Sequence, residues 1–306
     1  MLAERLKPGD HVGVVALAGP PCPEELERGI CLLKSLGLQV ETGRHIYEVA
    51  GYLAGTDDAR LADFHTMVAD PRIRAVFFAR GGYGSGRIAP LIDYRLIRKH
   101  PKIYWGYSDM TYLLSAIRQL SGLAVFHGPM IASDLGRSEH PLEVLTSFHQ
   151  LFVPRPTVIE HSEGNPLYIL AGGEAEGELV GGNLSVIASM LGTPFELDTT
   201  NKIILLEDVN EPPYKIDSML QQMTYAGKFA EAAGVVLGDF ANAEPTGSGP
   251  SFTAEEVFNE YFGCLPIPVM KGVPIGHCEP NQPVPLGVKA ILSASRRKLE
   301  IAPGVC

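Results

Sequence analysis

No stretch of the 306-residue chain approaches the roughly 18 consecutive apolar residues that a membrane-spanning helix needs. The opening residues, Met1 to Asp10, lack the apolar run of a secretory leader. Basic residues are outnumbered: 25 Lys and Arg face 35 Asp and Glu, for a formal net charge of -10. That balance excludes nucleic acid, whose phosphates call for a basic surface, and an anionic membrane as the main partner. The one dense basic run, Arg296-Arg297-Lys298, falls in an expected surface turn. Cysteine is sparse: Cys22, Cys31, Cys264, Cys278 and Cys306 are odd in number and widely separated, and no C-x-x-C pair is present. No disulfide framework, zinc knuckle or redox dithiol is implied, and a cytoplasmic location is expected. H-E-x-x-H and H-x-H spacings are missing too, so neither a metal nor any other cofactor is expected. The chain shows no internal repeat and no low-complexity tract.

What remains is an ordinary globular composition, 45% apolar and 20% charged, in a chain long enough for two domains. The first half alternates strand and helix signals. His11–Leu17 reads as a buried strand, and a helix opened by Pro23-Glu24-Glu25 carries Leu26, Ile30, Leu33 and Leu36 on one face. A helix over Ala59–Val68, a strand at Ala75–Ala79, a strand at Pro101–Trp105 with its following helix, and a strand at Leu123–Phe126 continue the pattern. Such repeats predict a parallel sheet with helices on both faces and ligands at the carboxyl ends of its strands. A helix over Pro141–Leu151 leads to Val153-Pro154-Arg155-Pro156, whose prolines suit a boundary between domains 1–153 and 154–306. The second half mixes strands at Gly177–Val180, Ile203–Leu206 and Gly234–Leu237 with helices at Leu184–Leu191, Ile216–Met223 and Ala254–Phe262. A hairpin is expected from Lys289–Leu292 to Arg297–Ile301, which makes this half α+β.

Four segments carry candidate chemistry. In Gly106-Tyr107-Ser108-Asp109-Met110, Ser108 stands between an apolar strand and an apolar helix, with Gly106 expected to allow the sharp turn. This suits a nucleophile elbow, although Met110 replaces the second glycine of G-x-S-x-G; a helix N-cap is the competing role. Arg80-Gly81-Gly82-Tyr83-Gly84-Ser85-Gly86-Arg87 follows a strand. It lacks the lysine of a phosphate loop and the spacing of a dinucleotide fingerprint, so an anion or oxyanion nest built on the Gly82 amide, or a tight turn, is expected. Glu207 closes the strand Ile203–Leu206, where a carboxylate can orient a histidine or simply sit in a solvated acidic loop. His277, in Pro274-Ile275-Gly276-His277 at the end of a Val/Ile/Pro strand, is a candidate general base, with His127 its rival.

Taken together, RGGYGSGR (Arg80–Arg87), GYSD (Gly106–Asp109), HGPM (His127–Met130), GELVGGNL (Gly177–Leu184), LGTPFE (Leu191–Glu196), LLEDVNEPPYKIDSML (Leu205–Leu220), PIGH (Pro274–His277) and Pro285-Leu286-Gly287 resemble, in order, the LD-carboxypeptidase family of serine peptidases. That family includes murein tetrapeptide carboxypeptidases and microcin C immunity peptidases. The resemblance implies an N-terminal flavodoxin-like parallel-sheet domain, a C-terminal mixed α+β domain and an active site in the groove between them. It implies Ser108 as nucleophile, His277 as base, Glu207 as its orienting carboxylate, and the Gly82 and Asp109 amides as oxyanion hole. The substrate implied is a murein peptide with a free terminal carboxylate, for which Arg80 and Asn183 are the candidate contacts. A homodimer is implied as well. Glu211 sits where a microcin-type anionic substrate would favour a cation, which favours the murein branch unless Lys215 reaches inward. A catalytically silent peptide- or sugar-binding protein is the expectation from another class.

Overall fold

The computed structural model describes residues 1–139, 141–247 and 249–306 and divides into two compact units. The first comprises Met1–Arg155, Pro283–Pro285 and Pro303–Cys306; the second comprises Pro156–Gln282 and Leu286–Ala302.

In the first unit, β1 (His11–Val15), β2 (Gln39–Thr42), β3 (Ile73–Phe78), β4 (Ile103–Gly106) and β5 (Val125–His127) pair in parallel in the order β2-β1-β3-β4-β5. A strand at Val284–Leu286, β12 in chain order, lies outside β5. This is the flavodoxin-like order, in which the chain reverses direction across the sheet between β1 and β3. The connections carry α1 (Pro23–Ser35), α2 (Asp57–Ala69), the short α3 (Ser85–Ile88), α4 (Tyr94–Lys99), α5 (Thr111–Ser121) and α6 (Pro141–Thr146). Helix α1 starts as its sequence dictates: proline sits in the first turn, where no amide bond is lost, and Glu24 and Glu25 face the positive end of the dipole. It buries Leu26, Ile30 and Leu33, while Leu36 becomes the C-cap. Trp105 anchors the core, stacked on Phe148 at 4.4 Å and on Phe126 at 5.6 Å, with its indole N–H donating to Pro129 O at 2.7 Å. Full burial of one such aromatic is worth about 1.5–3 kcal/mol.

The second unit is built on an eight-stranded mixed sheet. Its strands are β6 (Thr157–Glu160), β7 (Tyr168–Ala171), β8 (Glu174–Asn183), β9 (Lys202–Val209), β10 (Gly234–Ala241), β11 (Val269–Lys271), β13 (Lys289–Ser293) and β14 (Lys298–Ile301), ordered β6-β14-β13-β8-β9-β10-β11-β7. The central four, β8 to β11, run parallel, and antiparallel strands flank them on both sides. Helices α7 (Leu184–Met190), α8 (Pro213–Tyr225) and α9 (Ala254–Phe262) pack Ile187, Leu220, Met223 and Phe262 against Ile204, Leu206 and Val235 of the sheet. Helix α9 carries a full capping box between Thr253 and Glu256.

Two local expectations are corrected. Val273–Ile275 is not a strand: β11 ends at Lys271, and His277 lies in the loop beyond. Gly106 does not make the turn either. It is a buried strand residue whose added Cβ would stand 2.8 Å from the Phe78 ring, so glycine is there for close packing.

Candidate active site

The left-handed conformation at the end of β4 belongs to Ser108 itself, at φ 58°. Outside glycine this region is uncommon and costs about 1–3 kcal/mol, which the surroundings must enforce. Tyr107, Asp109 and Met110 are buried on either side, whereas Ser108 is only partly buried, so the strain lifts one hydroxyl out of an otherwise closed turn. A helix N-cap needs extended backbone and an accepting side chain; Ser108 instead opens a short 3-10 turn before α5. Burial pushes the Asp109 carboxyl up. Asp109 ties the elbow down by accepting from the Ser85 amide at 2.8 Å on its carboxylate and from the Ser85 hydroxyl at 2.7 Å on its carbonyl. Ser85 is thereby fully buried and engaged as a structural donor.

The glycine loop lies directly against this elbow. A Cβ on Gly81 would come within 2.9 Å of Ser108 Oγ and 3.8 Å of the Asp109 amide nitrogen. Gly82 and Gly84 adopt φ 110° and 129°, conformations that glycine adopts without a Cβ clash. The loop after β1 joins it through Gly19 N–H donating to Gly81 O at 3.0 Å. Arg80 is exposed and donates to Pro20 O at 3.1 Å, which holds its guanidinium at the reversal point between β1 and β3. His127 is fully buried, its ring 5.4 Å from that of Tyr107.

The second unit brings Glu207 and His277 together. Glu207 is fully buried near the end of β9, and its Oε2 stands 2.7 Å from His277 Nδ1. A donor Nδ1–H is the tautomer this contact favours, leaving Nε2 to accept a proton. Gly276 makes the approach possible: at φ 123° an added Cβ would stand 2.7 Å from Glu207 Oε2 and 2.8 Å from its Cβ. Its amide donates to Asn281 Oδ1 at 3.1 Å, and Asp239 N–H donates to Ile275 O at 2.8 Å, so the loop is fastened on both sides of the histidine. Burial, helped by the nearby Glu207 charge, holds the Asp239 carboxyl up. Burial also pushes the Cys278 thiol up to about 12, too high for a thiolate nucleophile beside His277.

Asn183 and Asp208 form a network of their own. Asn183 caps α7 by accepting from Val186 N–H at 3.2 Å and donates to Asp208 Oδ1 at 3.0 Å; Asp208 also accepts from the amides of Ser185 and Val209, each at 2.8 Å. Burial raises the Asp208 carboxyl to about 6. A solvated turn is the role that sequence suggests for Asp208, but it is buried within β9; Asp239, within β10, is a titratable neighbour that no motif singles out. Lys215 is exposed, its Nζ 5.7 Å over the Tyr214 ring, and the loop carrying Glu211 is pinned by Asn242 Nδ2 donating to Asn210 Oδ1 at 2.9 Å. Among the described residues, no group of three His, Cys, Asp or Glu side chains is placed to hold a metal ion, and no helix is long and apolar enough to cross a membrane.

The first unit thus holds a strained serine with a glycine loop against it, and the second holds a buried carboxylate–imidazole pair; each is a kind of group that acyl-transfer chemistry uses. Residues 12–128 match the LD-carboxypeptidase N-terminal domain, and residues 176–292 match the LD-carboxypeptidase C-terminal domain. The chain belongs to the LD-carboxypeptidase family. It is therefore a hydrolase of the carboxypeptidase class, and the serine assignment suits the family. The chain is 48% identical to a probable murein peptide carboxypeptidase of Bacillus subtilis over 98% of its length and 94% of that protein. It is 32% identical to the murein tetrapeptide carboxypeptidase of Pseudomonas aeruginosa, covering 94% of each chain. The fold also matches that of the microcin C7 self-immunity protein MccF in its apo state, with TM-score 0.90 at 24% identity over 99% of this chain and 98% of that one.

Proposed function

We propose that this LD-carboxypeptidase releases D-alanine from murein tetrapeptide by serine catalysis, with Ser108 as nucleophile, His277 as base and Glu207 as the group that orients it. The observation that carries the chemistry is the buried Glu207–His277 pair at 2.7 Å. In this reading residues 1–153 supply the nucleophile, and residues 154–306 supply the base and its carboxylate. His277 Nε2 takes the Ser108 hydroxyl proton as Oγ attacks the scissile carbonyl, and Glu207 stabilises the imidazolium that forms. The Gly82 and Asp109 amides receive the developing oxyanion, each such donor being worth roughly 3 kcal/mol. His277 then protonates the leaving amine, and water repeats the sequence on the acyl-enzyme.

The murein substrate is supported by the 48% and 32% identical relatives named for it. Arg80 is our choice for the terminal carboxylate, since its guanidinium is exposed beside the glycine loop. Asn183, the second candidate, is already engaged with Val186, Ser185 and Asp208, so a substrate contact there would compete with the helix cap. An aminoacyl-nucleotide substrate is disfavoured by Glu211, whose carboxylate would repel its anionic linkage, and by Lys215, which packs outward on Tyr214. A silent binding protein is disfavoured by the positive φ of Ser108, which a cap has no use for. We place the enzyme in the cytoplasm as a homodimer.

The test is turnover of matched peptides ending in L,D, D,D and L,L pairs. Serine, oxyanion donors and carboxylate contact fix three points around the scissile carbon, and a misplacement of about 1 Å costs roughly a hundredfold. The L,D peptide should react at least that much faster; equal rates on all three would make the enzyme a general peptidase, and preference for an aminoacyl-sulfamoyl adenosine would move it to the immunity branch.

A further inference from the structure

A buried arginine sits beneath the glycine loop without a role in the chemistry above. Arg60, on the buried face of α2, is 1% exposed. Its Nη1 donates to Gly84 O at 2.9 Å and to Leu17 O, and its Nη2 pairs with Asp57. Leu17 lies just past the end of β1, and Gly84 lies in the glycine loop past β3. One planar guanidinium therefore bridges the two chain segments at the reversal point of the sheet, where each carbonyl has left its strand ladder. Asp57 in turn takes a second cation, accepting from Arg87 Nε at 3.0 Å and Nη2 at 2.8 Å. The next link runs to the nucleophile: Gly84 precedes Ser85, whose amide and hydroxyl both bond Asp109, the residue after Ser108. Gly84 at φ 129° has little room beneath it, since an added Cβ would lie 3.1 Å from Arg60 Nη1.

Burying an arginine among apolar side chains is costly unless its fork is used, and here the fork is spent on the carbonyls of Leu17 and Gly84 and on Asp57. We infer that Arg60 is a positioning residue, whose fork fixes the Gly81–Gly84 loop against the Ser108 elbow so that the oxyanion donors are already aimed when the tetrahedral intermediate forms. Only the transition state develops charge at those donors, so loosening the loop reduces kcat and leaves ground-state peptide binding intact. Lysine cannot replace arginine here, because a single ammonium cannot span both carbonyls and Asp57 with the planar geometry of the fork.

The inference rests on the proposed serine mechanism, and its test separates the two. Arg60→Lys and Arg60→Ala are compared with Lys102→Met, which removes a buried cation bonded to Asp70 O and Ile73 O at the other end of β3. Three quantities are read: kcat and KM on murein tetrapeptide, the rate at which an alkyl fluorophosphonate labels Ser108 by intact mass, and the melting temperature. The expected result for Arg60→Lys is a fall in kcat of about 10- to 100-fold with KM within about twofold, and a parallel fall in labelling rate. Added methylguanidine should restore part of both losses in Arg60→Ala, a rescue that a merely structural defect would not show. Lys102→Met should lose thermal stability and keep wild-type kcat. A folded Arg60→Lys enzyme with wild-type kcat and labelling overturns the inference, as does a loss carried entirely by KM. If Arg60→Ala does not fold, Asp57→Asn, which leaves the guanidinium in place and loosens it, must show the same kcat-weighted loss. Wild-type protein that labels at Ser108 and fails to cleave tetrapeptide would refute the substrate reading, and the labelling rates of the Arg60 variants would then decide the role of Arg60 by themselves.

Discussion

The substitution Glu207→Gln changes one atom in a fully buried site and isolates what the charge there does. The carboxylate can only accept, so it holds His277 with its proton on Nδ1, 2.7 Å away. An amide in its place would present either an oxygen or an NH2 group. When the NH2 faces Nδ1, the imidazole proton moves to Nε2, and His277 can no longer accept the Ser108 proton. Loss of the correct tautomer together with the counter-charge for the imidazolium costs about 10⁴ in kcat in triads of this type, or about 5.4 kcal/mol of barrier. Folding should not suffer in proportion. The Glu207 charge helps raise both Asp208 and Asp239, so a neutral side chain of the same size removes like-charge repulsion while filling the same space. The expectation is a fall of roughly 10⁴ in kcat with a melting temperature equal to or above wild type. Measuring turnover by D-alanine release and stability by differential scanning fluorimetry decides it. Activity within tenfold of wild type would refute the orienting role, and a collapse in melting temperature would make Glu207 a structural anchor instead.

Gly276→Ala should cost roughly 100-fold in kcat, because the added Cβ overlaps Glu207 at a positive φ and drives the His277 loop outward; steady-state kinetics with wild-type rates would show that the loop has room. Asp208 supplies a pH test of stability. Its folded carboxyl titrates near 6, above the unfolded value, so its contribution to stability is complete below about pH 4 and is lost as pH rises through 6, on the order of 2–3 kcal/mol. Asp208→Asn should lack that component, seen as a flatter dependence of melting temperature between pH 4 and 7; an unchanged profile would mean that Asp208 titrates normally.

Much of the sheet framework was legible because its strands are buried on both faces. Val12, Val14, Phe77, Phe78, Ile204 and Leu205 form apolar runs with no competing helical period. The strands that escaped are short or at edges. β2 reads Gln-Val-Glu-Thr with partly exposed residues, and β6 and β7 are largely exposed, so burial left no pattern in them. Helix extents were legible where caps were explicit, as at Ala254–Phe262 behind Thr253. At the site, motif positions were readable and conformations were not. Glycine tolerates positive φ, which points to Gly106 as the turn, yet the strain sits on Ser108, which only the packing of Tyr107, Asp109 and the glycine loop can enforce. Apolar Val273 and Ile275 suggest a strand ending at His277; both are buried in a loop held by hydrogen bonds to Leu237 and Asp239, more than thirty residues earlier in the chain. Arg60 gave no signal by type, since arginine on a helix ordinarily points to water, although its place among Phe64 and Met67 marks the buried face.

Incubating the purified enzyme with murein tetrapeptide, with Ser108→Ala alongside, and following the product by mass spectrometry puts serine catalysis on this substrate to the test. Wild-type enzyme should remove one alanine from the peptide, recovered as the D enantiomer, and Ser108→Ala should be slower by several orders of magnitude. Intact tetrapeptide after prolonged incubation with wild type, or undiminished cleavage by Ser108→Ala, would contradict that mechanism.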